Sequence, residues 1–475
     1  MRPLAFVYIA VYFGLQCLAS DTGHHFDLTR SALRESGFSA TAVQVAQFEN
    51  WLTDYYSSSP TSPDSIRTAV EKLHFDNLYS KDQVIAYWAH FANNTKLATE
   101  VATQQDDPVL MLSVIGVSMH AVQDFYTHSN WVENHPRNGF YRTETWFSDP
   151  SPPDEIYTGK YPPFPSQPPP NIPEHGGYDS GLNKDSYVRP KWDDAYVFSY
   201  CASLEWLKSI EQWSKSVDAQ FWGKVQSYSV AADVQKQLNN DLHAAFKISL
   251  WIKNGDDDGH WKGNGSGDTD MFVVFAPTWV ASPDSLFVKQ FKEKLVHEIL
   301  TKNLYSSVPA PALPSITSVP LDRRAVIVRI LHVAEKGDTD LFEPNIDVLG
   351  KADFYSKVSI DGFEYVDAVQ QDDKDISPKW TTIHFVLKTQ SESQIDIAVW
   401  DEDGALSSDD DHCDLHPTAG KKDLSLHLDL VSKSISGDAN GVHADESSAL
   451  EFVGKKPDKD RASIRFFIDV RDVGP

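Results

Sequence analysis

Residues 107–131 read DPVLMLSVIGVSMHAVQDFYTHSNW, and the N-terminal half is decided by this stretch. Asp107 followed by Pro108 has the form of an N-cap and a first helical residue. Leu110, Leu112, Ile115 and Val117 carry the helix on toward Asp124. His120, Asp124 and His128 are then spaced i, i+4, i+8. At about 100° per residue each four-residue step drifts by only about 40°, so the three side chains share one helical face. Imidazole and carboxylate are zinc donors, and a helix presents such a set with little ordering cost. Three polar residues on a solvated face would show the same spacing; the apolar face carried by the same helix favours the metal.

Helical signals continue outward. Ser80-Lys81-Asp82-Gln83 has capping-box form ahead of Ala86, Trp88 and Phe91. Further helices are expected around Asp193–Ser216, Val230–Ile252 and Pro283–Asn303. The Pro-rich stretch 148–173 cannot be helical and reads as a long surface loop inside the domain. A second Pro-rich segment, Val308 to Pro314, reads as a linker. After Leu321 the period becomes two. Ile395, Ile397 and Val399, then Leu424, Leu426, Leu428 and Leu430, then Ile464, Phe466, Ile468 and Val470 alternate with other residues between Gly- and Asp-rich turns. The expected architecture is multidomain: a signal peptide over 1–20, a mostly α-helical domain over 21–305, a linker over 306–320 and an antiparallel β-sandwich over 321–475.

A chain of 475 residues suits two or three domains. The net charge of −26 argues against nucleic acid, whose phosphate backbone requires a basic face. Acidity suits a protein that gathers cations, and equally an ordinary soluble secreted one. Arg2 before the apolar run Leu4–Ala19 reads as a signal peptide cleaved ahead of Asp21, with an uncleaved anchor as the alternative. The mature chain is therefore expected to be secreted and extracellular, with no membrane-spanning segment. Cys17 leaves with the signal, and Cys201 and Cys413 fall in different domains, so no disulfide framework is expected. Asn93 and Asn264 open N-glycosylation motifs. The acidic, Gly-rich stretch Gly255–Gly263 reads as a solvated turn, or as a loop that binds a cation or covers a cleft.

The sandwich carries its own constellation. Asp347-x5-Asp353 lies in one loop and Asp401-x-Asp403-x5-Asp409 in another. Calcium takes six to eight oxygens, often from carboxylates on loops. Five Asp brought to one end of a sandwich would repel one another strongly without a cation between them.

These residues carry two resemblances. His120-x-x-Gln-Asp124-Phe-Tyr-x-His128-Ser-Asn-Trp-Val-Glu133, His25-Phe-Asp-Leu-Thr29, His74-Phe-Asp76, His175-Gly-Gly and Asn183-Lys-Asp-Ser186 occur in the order found in heterokaryon-incompatibility-C type proteins. Those proteins resemble the zinc-dependent phospholipase C and fungal nuclease superfamily. The resemblance implies a helical domain with up to three zinc ions in one cleft. By it, His74, His120 and Asp124 bind zinc together, His25 shares Asp124 at a second ion, and His128 serves a third that His175 completes. Asp54 is taken as the upstream carboxylate ligand, with Asp64 as its rival, and Asp54 or Asp124 is the candidate for orienting or deprotonating water. His24 and His135 read as surface residues. The chain departs from the bacterial enzymes in three ways. Their N-terminal Trp ligand would fall within the signal peptide, the Asp-to-His spacing is four where theirs is six, and Trp192-Asp-Asp-Ala195 stands where their His-x-x-x-Glu pair would be sought.

The second resemblance is to the C2 domain. Gly350-Lys-Ala-Asp353-Phe-Tyr355 is similar to its Gly-x-x-Asp-Pro-Tyr turn, and Val399-Trp-Asp401-Glu-Asp403 is similar to the strand entering its third calcium loop. It implies calcium bound by Asp347, Asp353, Asp401, Asp403 and Asp409 and a membrane phospholipid surface as partner. Together the resemblances imply a secreted zinc-dependent phosphodiesterase of phospholipase C type, recruited to lipid through calcium. The alternative is a non-catalytic recognition protein with a structural zinc cluster.

Overall fold

The helix caps act where the sequence places them. Asp107 Oδ1 accepts the Leu110 amide at 3.0 Å and Ser80 Oγ accepts that of Gln83 at 3.4 Å, each satisfying a donor that a first helical turn leaves open. The protein, seen in a computed structural model, is described over residues 22–58, 62–149, 151–161, 167–176, 181–187, 189–243, 245, 285–291, 298–336, 352–367, 370, 374–401, 410–439, 442–455 and 460–474. The expected signal peptide, the 255–263 stretch and Asn264 lie outside the described residues, as do Asp347, Asp403 and Asp409.

The helical part comprises α1 (Thr22–Glu35), α2 (Ala40–Ser58), α3 (Asp64–Val70), a 3₁₀ turn at Glu71–Leu73, α4 (Lys81–Gln104), α5 (Pro108–His128), α6 (Trp131–Asn134), α7 (Trp192–Val217) and α8 (Phe221–Gln226). A further helical stretch covers 232–243, within the range expected from the sequence. α5 sits at the centre, packed on α2, α4 and α7, and every residue from Leu110 to Tyr126 is buried. This corrects one expectation. Past the signal no stretch is expected to reach membrane length, yet α5 is long and apolar enough to cross a membrane. A helix apolar on every side is either a span or the core of a helical domain. Here 94% of its most apolar window is buried inside the protein.

The linker 306–320 is largely exposed and lies along the helices, where Thr317 N donates to Ser209 Oγ at 2.9 Å. Asn93, within α4, donates its side-chain amide to Ala89 O and to the linker's Ala312 O, both at 2.8 Å. Thr95, the third residue of its motif, is fully buried. A glycan at Asn93 would therefore have to displace the linker.

Twelve strands follow among the described residues: β1 (Arg323–Glu335), β2 (Phe354–Ile360), β3 (Phe363–Val366), β4 (Asp375–Ile376), β5 (Thr381–Leu387), β6 (Glu392–Asp401), β7 (Asp411–His412), β8 (Leu424–Asp429), β9 (Ser434–Gly437), β10 (Val442–His443), β11 (Leu450–Val453) and β12 (Ala462–Val473). One sheet runs β11-β12-β1-β4 with β5 also on β1, and the other runs β10-β9-β8-β6-β2-β3 with β7 also on β6. Each of these strand pairings is antiparallel. The alternating residues of β6 and β8 point inward as their period requires, since Ile395, Ile397, Val399, Leu424, Leu426 and Leu428 are all fully buried. The result is a two-sheet antiparallel sandwich after a helical domain, the architecture expected from the sequence.

Aromatic stacking and ion pairs join the two domains. The Tyr200 ring of α7 stacks on Phe385 of β5 with centroids 3.7 Å apart and planes 6° from parallel. Arg30 Nη1 donates to Glu364 O at 2.7 Å, its guanidinium lying over the Tyr365 ring, and Glu35 pairs with Arg323. Replacing Phe385 by Ala is expected to weaken the junction by about 0.5–1.5 kcal/mol beyond the lost area. In calorimetry the helical domain and the sandwich should then unfold in more widely separated transitions; a single unchanged transition would show that the stack does not couple them.

Candidate metal centre

Four elements bring the donors together. α1 supplies His25, α2 supplies Asp54, the turn after the 3₁₀ segment supplies His74, and α5 supplies His120, Asp124 and His128. The His74 turn is held in an unusual backbone. Phe75 has φ 55° and Asn77 φ 62°, a left-handed conformation that is rare for a bulky residue. The Phe75 ring is wholly buried, with ring centroids 4.1 Å from Tyr87, 4.4 Å from Trp88 and 5.3 Å from Phe125. Packing of this one ring anchors the turn between His74 and Asp76.

Asp124 is the hub. Its Oδ1 lies 3.1 Å from His25 Nε2, and its Oδ2 lies 2.8 Å from His74 Nδ1 and 3.0 Å from His120 Nε2. Asp54 Oδ1 is 3.4 Å from His120 Nε2 and 3.8 Å from His74 Nδ1, while the two imidazole nitrogens are themselves 3.2 Å apart. Four donors each about 2.0–2.1 Å from one zinc ion would be separated by about 3.3–3.4 Å. The observed separations scatter around that value, so the donor set fits zinc in both chemistry and spacing.

The far nitrogens of the imidazoles are also engaged. Asn50 Oδ1 faces His120 Nδ1 at 3.1 Å, and Gln123 Oε1 faces His25 Nδ1 at 2.7 Å. An amide oxygen only accepts, so each keeps a proton on the far nitrogen and leaves the near nitrogen as the one that can give up its proton to a metal. His74 O takes the same part for His128 Nδ1 at 2.9 Å. Asn50 and Gln123 are bonded to each other at 3.2 Å and both reach Thr29 Oγ1.

A second group adjoins the first. His128 Nε2 is 3.1 Å from Asp185 Oδ2, and His175 Nδ1 is 2.9 Å from Asp76 Oδ1. The sets Asp76–His128–His175 and Asp124–His128–Asp185 each place their donor atoms within 4.8 Å of one another. Lys184 is buried beside them and donates to Ser129 O at 3.0 Å and Leu182 O at 2.7 Å, tying the Asp185 loop to the end of α5. Burial pulls its ammonium down to about 8. A cavity of about 20 Å³ lies against His74, His128, His175, Glu71 and Tyr161, room for about one water.

All seven residues expected as zinc ligands thus meet in two contiguous groups. Asp64 does not join them: its side chain is 90% exposed and pairs with Arg67. Asp76 and Asp185 are additional donors that the sequence reading does not name as ligands, although they lie inside the motifs His74-Phe-Asp76 and Asn183-Lys-Asp185-Ser186. His24 and His135 are buried, contrary to expectation. His24 packs on Trp192 with centroids 4.7 Å apart, and His135 stacks on Trp131 and bonds Asp149 at 3.0 Å. Each presents an apolar ring to the aromatic core, which a polarity-based reading misses. In the sandwich, β2 and β6 pair Phe354 with Asp401, and the Asp353 amide donates to the buried Asp401 carboxylate. The two described members of the calcium set are therefore adjacent.

Protonation follows from the same geometry. Burial acts to lower His25, but the Asp124 carboxylate, with Asp54 and Gln123 behind it, outweighs burial and lifts the imidazole to about 9. Burial is likewise outweighed at His74 by Asp124 and Asp54, and at His128 by Asp185 and Asp124, so both are raised. At His120 burial prevails and the shift is downward. Despite its own burial, Asp124 is held well below the carboxylate range by His120, His128 and His25, and Asp185 is brought down to about 2, chiefly by His128. A cation must displace the raised protons, so zinc affinity should climb with pH by up to about tenfold per unit for each one. Without metal the sign reverses. A histidine raised from 6.5 to about 9 contributes stability that is complete below 6.5 and lost as pH climbs toward 9. The metal-free melting temperature should therefore fall across that window while the increment gained with zinc grows. Scanning calorimetry of both forms reads this, and a constant increment would contradict it.

No family model matches the chain. Von Willebrand factor A domain-containing protein 7 of Rattus norvegicus is 31% identical over 120 residues, which is 23% of this chain and 12% of that relative, so the chain spans a small part of that protein. Among solved structures, one titled as the structure of a C2 domain is 15% identical over 31% of this chain and 98% of its own, with a TM-score of 0.21. The paired C2 domains of extended synaptotagmin 2, in their calcium-bound form, are 14% identical over 32% of this chain and 47% of their own, with a TM-score of 0.20. Human GIVD cytosolic phospholipase A2 is 14% identical over 31% of this chain and 16% of its own, also with a TM-score of 0.20.

Proposed function

We propose that the helical domain is a zinc-dependent phosphodiesterase of phospholipase C type and that the sandwich delivers it to a phospholipid surface through calcium. The reading rests on one observation: three imidazoles and a second carboxylate gather at the fully buried Asp124, with the far nitrogens of His25 and His120 held by Gln123 and Asn50. His25, Asp54, His74, His120 and Asp124 would hold one part of the metal cluster, and Asp76, His128, His175 and Asp185 the other. Zinc bound there lowers the pKa of a water toward neutrality and offers positive charge to a phosphoryl oxygen.

The chain's own groups divide the remaining work. Asp124 is too acidic and too fully engaged to serve as a base, so its part is to hold and orient three imidazoles. Asp54, farther from its imidazole neighbours, is the group that takes the proton from an attacking water. Glu71 borders the small cavity, and burial raises its carboxyl above the usual range. Its place at the cavity makes it the group to give a proton to the departing alkoxide. Asp353 and Asp401, with Asp347, Asp403 and Asp409, would bind calcium at the sandwich end and so present positive charge to lipid headgroups. The mature chain would then act outside the cell.

The size of the cavity supports the second reading. Room for a single water suits a structural cluster closed by protein ligands, which would make the chain a recognition protein. Zinc analysis combined with hydrolysis of bis(p-nitrophenyl) phosphate and phosphatidylcholine vesicles separates the two. Hydrolysis that requires zinc and is lost with Glu71→Gln supports the enzyme; stoichiometric zinc without turnover on either substrate supports the structural cluster. Calcium-dependent vesicle sedimentation tests the sandwich. Asp401→Asn should abolish it, and sedimentation indifferent to that change and to a chelator would defeat the calcium part.

A further inference from the structure

We propose that the cleft between the start of α7 and strands β1 and β12 is a binding site for a compact, multiply charged phosphate group. This cleft has a volume of about 540 Å³, within the range of small-ligand sites. Its charge runs against that of the molecule. The whole chain carries −26, yet among the described residues six cationic side chains line the cleft against three acidic ones.

Two of those cations are already neutralised. Arg137 pairs with Asp193 at 2.9 Å and Asp194 at 2.8 Å, and Arg471 pairs with Asp469 at 2.5 Å and Glu446 at 2.9 Å. Arg329 and Lys379 have no carboxylate partner among the described residues. Arg329 Nε donates to the neutral Thr381 Oγ1 at 2.9 Å, and its guanidinium carbon lies 5.6 Å from the Phe467 ring centroid. Lys379 is held at φ 57° in the approach to β5. Lys191, at φ 67°, caps α7 from the other side of the cleft, its ammonium 3.9 Å from the half-exposed Glu133. Arg189, the sixth, donates to Asn183 O at 2.8 Å and Gly181 O at 2.9 Å; besides it, the helical domain supplies one ammonium, and the sandwich supplies a guanidinium and a second ammonium.

The chemistry of the ligand follows from that set. Guanidinium offers paired donors that match two phosphate oxygens, and ammonium adds point charges that a single carboxylate would leave unneutralised. An extended polyanion is disfavoured, since beyond the cleft it would meet the acidity of the whole chain. A pyrophosphate, or the phosphorylated headgroup of a lipid, satisfies both limits. The assignment is independent of the metal centre, because none of these residues belongs to it.

Titration of the full zinc-loaded chain with inorganic pyrophosphate, without calcium, tests the site, with Trp192 in the cleft wall as a fluorescent reporter. Arg329→Gln combined with Lys379→Gln should raise the dissociation constant at least about tenfold. The charge-preserving pair Arg329→Lys and Lys379→Arg should retain most of the binding. Zinc content and circular dichroism of both variants should match the parent. A parallel arm uses phosphatidylcholine vesicles with and without phosphatidylinositol bisphosphate. Sedimentation that needs the phosphorylated lipid and fails in the Gln variant identifies a headgroup as the source; pyrophosphate binding alone identifies a soluble phosphate. No pyrophosphate binding, or binding that the Gln pair leaves unchanged, overturns the site.

Discussion

Asp124→Asn should strip zinc from the helical domain and abolish any phosphodiesterase activity, while leaving calcium-dependent lipid binding by the sandwich intact. The replacement has nearly the same shape, so the effect is electrostatic. Asp124 faces His25, His74 and His120 at 2.8–3.1 Å, and a neutral amide leaves those buried imidazoles with one carboxylate where there were two. Changing an outer partner such as Gln123 should cost about 10–100-fold in metal affinity; loss of the hub should exceed that, since it ends the sharing of one carboxylate between sites. The metal-free protein should also lose about 3–5 kcal/mol, the usual result of removing one member of a buried charged set. Zinc content by mass spectrometry and denaturant unfolding measure the two effects. Retention of full zinc by the variant would mean that the imidazoles meet for another reason.

The second large effect is expected about two helical turns away, at a residue with no side chain. Gly116 lies on α5 where α2 crosses it, and a Cβ there would sit 2.3 Å from Ala46 O, 2.9 Å from Glu49 Cβ and 3.0 Å from Asn50 N. Replacing glycine by alanine inside a helix ordinarily stabilises it by about 0.5–1 kcal/mol. Here the obstacle is backbone, which cannot rotate away, so the sign reverses and Gly116→Ala should destabilise by about 1–3 kcal/mol. The damage reaches the metal centre, because α2 also carries Asn50, which orients His120, and Asp54. A displacement of about 1 Å at a reacting site can cost about 100-fold in rate. Zinc affinity and turnover should therefore fall together with the melting temperature. A variant that melts higher and keeps its zinc would refute the close-approach account.

Local signals carry far in this chain. Ser80 and Asp107 start their helices because short polar side chains bond the first free amides, and that needs only neighbouring residues. Likewise the alternation of Ile395, Ile397 and Val399 obliges them to face one side of a sheet. The metal centre is legible to the extent that its donors share a helix face or sit within short motifs. Asp54 has no such motif, and it is distinguished from Asp64 only once α2 packs on α5. Polarity alone misjudges His24 and His135, because burial of an imidazole depends on which rings surround it, and those rings come from α7 and from Trp131.

By itself, then, the amino-acid order determined where α4 and α5 begin, which alternating residues of the sandwich face a core, and that α5 presents two imidazoles and a carboxylate in a row. Folding decided which distant groups complete that row: Asp54 across the Gly116 contact, His74 and Asp76 on either side of the anchored Phe75, His25 from α1 and Asp185 from the loop before α7. It also decided that Lys191 faces Arg329 and Lys379 across the domain junction. The physical reason is range. Caps and periodicity act within a few residues, whereas convergence on one carboxylate or one cleft depends on how whole helices and sheets pack.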